Sequence, residues 1–262
     1  MRREYIDSMP DLHATWLSQL RQRLRLRFRR QLQNWLNALP SQCAVCGRWP
    51  GPRICHDCRA RWVSRFHRCQ TCAIPLPALV CTCGACLMQA PKLQRCTAAL
   101  SYAYPWQDLI TRYKFQADLG LARSLGRLMA SHPEGKEQLQ ACDVLLPVPT
   151  TSQRIRERGF DHSLLLARAL ARQSGIKRPV LTQVVQRKHL ELAQHSSTRE
   201  QRLRQLRGVF SLAPAQTKQV ADRHILLIDD VMTTGATLDA LASCLLTAGA
   251  ASVCAVVLAR TA

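Results

Sequence analysis

The run I-L-L-I-D-D-V-M-T-T-G-A-T, from Ile225 to Thr237, leaves this chain few folds to choose from. Four consecutive apolar residues predict a strand buried on both faces, as in a parallel sheet covered by helices. Two adjacent acids follow, Asp229 and Asp230, then a loop of hydroxyls and one glycine: Thr233, Thr234, Gly235, Ala236 and Thr237. Helix formers begin at once with Leu238, Ala240, Leu241 and Ala242. In an open α/β sheet the C-terminal end of such a strand opens onto the ligand crevice. The first N–H groups of the following helix have no intrahelical partner, and its dipole favours an anion there. The threonine hydroxyls add donors, and Gly235 lets backbone approach a phosphate closely. Two carboxylates alone would repel a phosphate. They suit ribose hydroxyls, or a Mg²⁺ that also holds phosphate. The expected guest is a sugar phosphate.

This stretch resembles the PRPP-binding loop of type I phosphoribosyltransferases. The resemblance implies that Asp229 and Asp230 act at the ribose hydroxyls of 5-phosphoribosyl pyrophosphate (PRPP). It implies that Thr233, Thr234, Gly235, Ala236 and Thr237 hold the 5-phosphate, with Mg²⁺ accompanying PRPP.

Cysteine spacing sets the second constraint. Cys43/Cys46, Cys55/Cys58, Cys69/Cys72 and Cys83/Cys86 are each C-x-x-C. That loop places two thiolates on adjacent corners of the tetrahedron Zn²⁺ prefers. Four pairs make two Cys₄ sites, read as a tandem repeat of a short zinc ribbon. The simplest assignment is sequential, two pairs per zinc; crossed pairing and replacement of Cys83 by Cys81 stay open at this point. Closed Cys₄ sites leave no position for a substrate, so the zinc is structural, and so short a segment would fold around its metals. The N-terminus carries Glu4, Asp7 and Asp11 and no continuous apolar core, unlike a secretory signal. No run approaches a membrane span. A reducing, cytoplasmic setting is expected, where clustered cysteines mean metal more often than disulfides.

The formal charge is +20 over 262 residues. Each closed Cys₄ site carries a net −2, which lowers the total to about +16. Residues 16–39 contribute much of the basic excess. Leu17, Leu20, Leu24, Phe28, Leu32, Trp35 and Leu39 recur at helical spacing, with Arg21, Arg23, Arg25, Arg27, Arg29 and Arg30 filling most other positions before Pro40. Such a helix packs on its own chain, a partner, an acidic membrane or nucleic acid.

From Thr97 onward, strands and helices alternate, which predicts a mainly parallel sheet. Strands are expected at Thr97–Tyr104, Val144–Val148, Val180–Val185, from Ile225 up to the acids, and at Ser252–Leu258. Helices are expected at Pro105–Tyr113, at Leu119–Ser131 capped by Asp118, at Leu164–Gln173 capped by Asp161 or Ser163, and from the T-T-G loop to about Ala248. The polar stretch 186–207 reads as a flap, partly helical from Thr198. The loop after Val148-Pro149 presents Arg154 and Arg158 ahead of Gly159. Arginine forks match phosphate oxygens, so this loop is a second anion site for the pyrophosphate of PRPP. Lys114 is divided between an anion contact and a surface lysine.

Taken in order, the cysteine-rich ribbon, Y-K-F, P-V-P-x₄-R-x₃-R-G-F, R-x₆-Q with a downstream arginine, and I-D-D-V-x-T-T-G-x-T resemble the ComF family (ComF, ComFC and GntX-like proteins) over about Leu32 to Arg260. The chain departs from that pattern at Asp161-His162, where Asn-Gln is common, at Gln205, where Asn is usual, and in the length of residues 1–30. The resemblance implies a type I phosphoribosyltransferase fold, a mainly parallel sheet with flanking helices, preceded by a small cysteine-rich zinc-ribbon domain. The expected organisation is an arm over 1–40, a double ribbon over 41–90 and a phosphoribosyltransferase-like domain over 97–262. It also implies a cytoplasmic role, peripheral to the inner membrane, in natural competence. The partners it implies are PRPP, imported single-stranded DNA, and the proteins of a DNA-uptake channel or a helicase. The alternative is an active phosphoribosyltransferase of nucleotide metabolism, with Mg–PRPP as donor. No base-recognition element is evident after the last strand.

Overall fold

The computed structural model describes residues 41–63, 66–188 and 208–262. The basic helix expected over 16–39, and residues 189–207 of the stretch 186–207 read as a flap, with Thr198 and Gln205, lie outside the described residues. The chain divides into two compact units, Met1–Cys55 and His56–Ala262.

The described part of the first unit is one metal-type knuckle. Ser41 and Gly51 exchange both backbone hydrogen bonds, at 3.0 and 2.8 Å, and Gly47 N–H closes a turn on the Cys43 carbonyl. Gly47 sits at φ +72°.

In the second unit, α1 (His56–Trp62) and α2 (Gly84–Met88) flank a second knuckle that repeats the pattern of the first. Cys43 N–H donates to the carbonyl five residues on, at Arg48, and Cys69 N–H does the same to Ile74. Ala73 stands four residues after Cys69, as Gly47 does after Cys43, and it too is left-handed, at φ 56°. The tandem repeat read from C-x-x-C spacing is thus a repeat of backbone conformation.

The main sheet is built from β1 (Arg95–Ser101), β2 (Val144–Pro147), β5 (His224–Met232) and β6 (Ser252–Arg260), in the order β1-β6-β5-β2 and parallel throughout. Strands β3 (Val185–Arg187) and β4 (Phe210–Leu212) form a separate antiparallel pair, so they hold together the two ends of the segment read as a flap. The helices are α3 (Trp106–Phe115), α4 (Leu121–Ala130), α5 (Pro133–Ala141), α6 (Ser152–Arg158), α7 (His162–Ser174) and α8 (Ala236–Thr247).

Period-2 alternation divides the strands between two cores. Cys96, Ala98, Val144, Leu146, Ile225, Leu227, Val253, Ala255 and Val257 share one cluster with Leu238, Leu241 and Leu245 of α8 and with Cys69, Cys72, Ala73 and Cys86 of the second knuckle. Helices α4 and α7 cover the opposite face, packing on β6 and β5. They meet closely at Gly126, where an added Cβ would stand 2.7 Å from the Ala169 Cβ.

The structure corrects several expected elements. The strand at β5 does not stop before the acids; both Asp229 and Asp230 lie inside it. The segment expected as strand Val180–Val185 is divided: Val180 makes one parallel bridge to Leu145, while Val185 begins β3. The loop carrying Arg154 and Arg158 is the helix α6, capped by Thr151, whose side chain accepts from Arg154 N–H at 3.3 Å. Helix α5 was not anticipated. Helix α4 begins after Gly120 with no side-chain cap, because the Asp118 carboxylate pairs with Arg112 Nη2 at 2.8 Å. Asp161, by contrast, does cap α7, accepting from Leu164 N–H at 3.0 Å. Among the described residues, no helix is long and apolar enough to cross a membrane.

Candidate functional site

The C-terminal end of β5 brings four sequence elements together. Asp230 is almost fully buried, at 3% exposure. Its Oδ1 lies 2.9 Å from Lys114 Nζ of α3, and its Oδ2 lies 3.1 Å from His162 Nε2 at the start of α7. Arg158 Nη1 stands 3.0 Å from His162 Nδ1. A guanidinium only donates, so Nδ1 accepts and the ring proton sits on Nε2, facing Asp230. Tyr113 fixes the same turn by donating from its hydroxyl to the His162 carbonyl at 2.6 Å. Burial, with the charges of Asp230 and Asp161, raises the Tyr113 phenol and keeps it a donor. Lys114 is therefore only 18% exposed in its side chain and engaged with Asp230, a role neither of its sequence readings contained.

Asp229 lies beside this ion pair in a different electrostatic state. Its Oδ1 accepts from Ser163 Oγ at 3.2 Å and from Asp230 N–H at 2.9 Å. Burial and the Asp230 carboxylate push it up to about 6, partly offset by His162 and Lys114. Burial would raise Asp230 as well, but His162 and Lys114 outweigh it and hold that carboxyl well below the usual range. The two neighbours thus divide the labour: one is a fixed anion, the other an acid that ionises near neutrality.

The sign for stability follows. The folded chain holds the Asp229 proton above the pH at which the unfolded chain has released it. Asp229 therefore costs stability as pH rises from about 4 to about 6. Asp229→Asn keeps an Oδ1 acceptor for Ser163 and Asp230 and removes the charge. It is expected to raise the thermal midpoint by several degrees at pH 8, a gain on the order of 1–2 kcal/mol. The gain should vanish towards pH 4. An unchanged or lower midpoint at pH 8 in scanning fluorimetry would contradict this assignment.

The phosphate-type loop follows directly. Gly235 caps α8 at φ +81°, a region unfavourable to other residues, and a Cβ there would collide with the Met232 methyl. Thr234 Oγ1 accepts from Ala236 N–H at 3.4 Å. Ala236 and Thr237 are the first two residues of α8, Thr233 is exposed, and Thr234 and Thr237 are half-buried. Helix α6 supplies the arginines one turn apart. Arg154 is exposed and Arg158 half-buried, with the Arg158 guanidinium 4.9 Å from the Phe115 ring centroid. Burial and the charge of Arg154 lower Arg158 from its ordinary value, and the same two causes act on Arg187. Arg187, from β3, reaches the Pro149 carbonyl at 3.4 Å and lies over Phe210. It thus stands within the field of both Arg154 and Asp229. Sequence reasoning gave no site role to Arg187 or Tyr113, offered Ser163 only as an alternative cap of α7, and met His162 only as a departure from Asn-Gln.

The cysteines form two groups, Cys43/Cys46/Cys55/Cys58 and Cys69/Cys72/Cys83/Cys86, each with ligand atoms within 4.8 Å of one another. Pairing is sequential, and Cys83 rather than Cys81 completes the second group; Cys81 is exposed. Cys46 and Cys55 Sγ stand 3.7 Å apart, and Cys72 and Cys83 Sγ 3.6 Å apart. Those separations match the edge of a ZnS₄ tetrahedron, about 3.8 Å for 2.3 Å bonds. Cys55 N–H donates to Cys43 Sγ and Cys83 N–H to Cys69 Sγ. Burial opposes ionisation of both sulfurs, but such backbone donors outweigh it and lower Cys43 to about 6 and Cys69 to about 7. Both donor sets could hold a metal ion and fit zinc. His67 stays outside: its Nε2 bonds the Val80 carbonyl at 2.8 Å.

Comparison with known proteins agrees with this architecture. The model of the phosphoribosyl transferase domain family matches residues 161–262. The DNA utilization protein YhgH of Shigella flexneri is 32% identical over 232 residues, covering 85% of this chain and 98% of that protein. Competence protein F of Haemophilus influenzae is 31% identical over 189 residues, covering 71% of this chain and 81% of that protein. Competence protein ComFC of Bacillus subtilis is 27% identical over 222 residues, covering 81% and 86%.

Proposed function

We propose a function from the premise that the chain belongs to the ComF family: it binds Mg²⁺–PRPP at the end of β5 and acts in the handling of DNA during natural transformation. The observation that carries the ligand reading is the conjunction of two adjacent acids, one half-buried and one buried, with a glycine-capped helix start on one strand–helix unit. In this reading, N–H groups of Gly235, Ala236 and Thr237 and the hydroxyls of Thr233, Thr234 and Thr237 take the 5-phosphate. Asp229 and Asp230 take the ribose hydroxyls, the former once it has lost its proton. Arg154 and Arg158 face the pyrophosphate, and Lys114 keeps Asp230 charged and in place. A bound Mg²⁺ would neutralise pyrophosphate charge. The two cysteine groups hold structural zinc.

The DNA reading draws on the names of the relatives, which refer to competence and DNA utilization, and on the formal charge of +20. Few aromatic residues are available, so the expected contact is with phosphate backbone rather than stacked bases. Within this proposal residues 1–40 form a basic arm, 41–90 a double zinc ribbon and 97–262 the PRPP-binding domain. The setting is cytoplasmic, peripheral to the inner membrane, with a channel or helicase protein as partner. A second reading, pentosyl transfer from PRPP to an unidentified acceptor, is favoured by the phosphoribosyl transferase match; pyrophosphate release in the presence of an acceptor would distinguish it from binding alone.

Calorimetric titration of the full chain with Mg–PRPP tests the ligand. Saturable binding is expected, weakened at least about tenfold by Asp229→Asn. Gly235→Val should abolish it, because a β-branched residue is strained at that φ and meets Met232. Affinity should fall as pH drops through about 6. Absence of heat with the native chain would sink the reading.

A further inference from the structure

Between Cys58 and Cys69 the sequence runs R-A-R-W-V-S-R-F-H-R, with four arginines, a histidine, two aromatics and no acid. Aromatic residues make up only 5% of the chain, so composition alone does not place two of them among four arginines. Helix α1 ends on this segment at Trp62. The Trp62 carbonyl accepts from the indole N–H of Trp106, itself buried, at 2.9 Å, which pins the helix end to the start of α3. The Trp62 ring meets Tyr104 edge-on, with centroids 5.1 Å apart and planes at 86°. The guanidinium of Arg61, an exposed residue, lies 5.1 Å from the Trp62 centroid. Arg68 fixes the far end of the segment, donating to the Ala73 carbonyl at 2.9 Å and to Ser101 Oγ at 2.8 Å. Its guanidinium also lies 5.7 Å from the ring centroid of Phe66.

Both ring–arginine pairs are thereby tied to one place. Ser101 is the last residue of β1, and Tyr104 follows it by three. The sheet is parallel, so this end of β1 shares an edge with the end of β5, two strands away, or about 10 Å. The rings are open to water: Tyr104 is 61% exposed and Phe66 53%. Charge favours an anion. Arg59 and Arg61 close α1, while its acid, Asp57, sits in the first turn, and Asp108 sits in the first turn of α3. With Arg68, the arginines outnumber these acids.

Open rings beside guanidiniums offer a face for a base and donors for a phosphate at once. A duplex keeps its base faces covered, and an apolar protein surface would leave the guanidiniums unpaired. We propose that this cluster is a stacking surface for the bases of single-stranded nucleic acid. Phe66 and Tyr104 are the stacking rings, Trp62 buttresses Tyr104, Arg68 orders Phe66, and Arg61 meets phosphate. The proposal rests on the DNA reading above and goes beyond it, since that reading needs contact with the backbone only.

The test is fluorescence anisotropy of the full chain with a labelled thymidine homopolymer of about 20 nucleotides, an abasic strand of the same length, and the corresponding duplex. The thymidine strand should bind at least about tenfold more tightly than the abasic strand or the duplex. Phe66→Ala with Tyr104→Ala should bring the thymidine strand down about tenfold, to the level of the abasic strand. Binding of the abasic strand and of Mg–PRPP should stay as in the native chain. Phe66→Ala alone should lower thymidine-strand affinity about threefold, so the result does not hang on Tyr104, which also packs on Trp62. Arg61→Gln should weaken both single strands alike and flatten the salt dependence. Equal affinity for thymidine and abasic strands, equal losses on both in the ring variants, preference for the duplex, or undiminished binding by the double variant would overturn the stacking surface and leave backbone contact standing. A native chain that binds none of the strands would overturn both.

Discussion

In the zinc-bound form proposed above, removing the ion from Cys69, Cys72, Cys83 and Cys86 is expected to unfold far more than the short ribbon that carries them. The knuckle shares one core with β1, β5, β6 and α8. Cys96 N–H, in the first turn of pleat of β1, donates to the Gln70 carbonyl at 2.8 Å. The guanidinium of Arg260, 6% exposed, donates to the Cys72 carbonyl at 3.0 Å and to the Met232 carbonyl at 3.4 Å. Loosening the knuckle would leave a buried cation short of acceptors, a loss of about 3–5 kcal/mol, and would expose the apolar side chains beneath it. Cys86→Ser, or treatment with a strong chelator, should therefore lower the main thermal transition by roughly 10 °C or more. Cys46→Ser, in the first unit, should shift it by only a few degrees. Metal analysis of the native chain should return two zinc ions. A Cys86→Ser chain that keeps the main transition would show that the knuckle is carried by the sheet rather than supporting it.

The second large effect is expected at Asp230. Asp230→Ala leaves Lys114 Nζ, now 2.9 Å from a carboxylate, as a mostly buried cation without its anion, and removes the carboxylate oxygen that stands 3.1 Å from His162 Nε2. Breaking a buried pair from one side costs about 3–5 kcal/mol, measurable by urea denaturation at pH 7. Because the Asp230 carboxyl is held well below its usual range, its contribution is complete above about pH 4 and fades as pH falls through the acid range. The Asp230→Ala penalty should shrink with it, the opposite trend to the one set by Asp229. Adding Lys114→Met to Asp230→Ala should recover part of the loss, since the double variant buries no unpaired charge. If the double variant is as unstable as Asp230→Ala, the ion pair is not the source of the effect.

The parts of this molecule that could be read from its sequence are those in which several local signals coincide. Ile225–Ile228 is a run of apolar residues, and the glycine after it sits where only a glycine is comfortable, so β5, its loop and α8 were legible together. The cysteine groups were legible because C-x-x-C fixes local geometry. Helix α5 escaped because P-E-G-K-E-Q-L-Q-A has no apolar stripe; Leu139 is its one large buried apolar residue. Helix α6 escaped for the same reason, since none of its residues is buried; it is set by its Thr151 cap and by Gly159. Asp118 was misread as a cap because its competitor, Arg112, lies a turn and a half earlier in the sequence and only the fold brings the two together. The supporting shell around Asp230 was illegible in principle. Lys114, His162 and Arg158 come from three helices, and nothing in the spacing of one encodes the place of another.

Strand β6 carries a consequence for how this protein is made. It lies between β1 and β5, yet it is the last strand in the sequence, and its final residue anchors the Cys72 carbonyl across 188 positions. Until residues 252–260 have left the ribosome, β1 has no neighbour in the sheet and the second knuckle has no lock. Until then a growing chain carries an unpaired β1 edge. Metal capture by the early cysteines would shield their thiols long before the sheet that needs them exists.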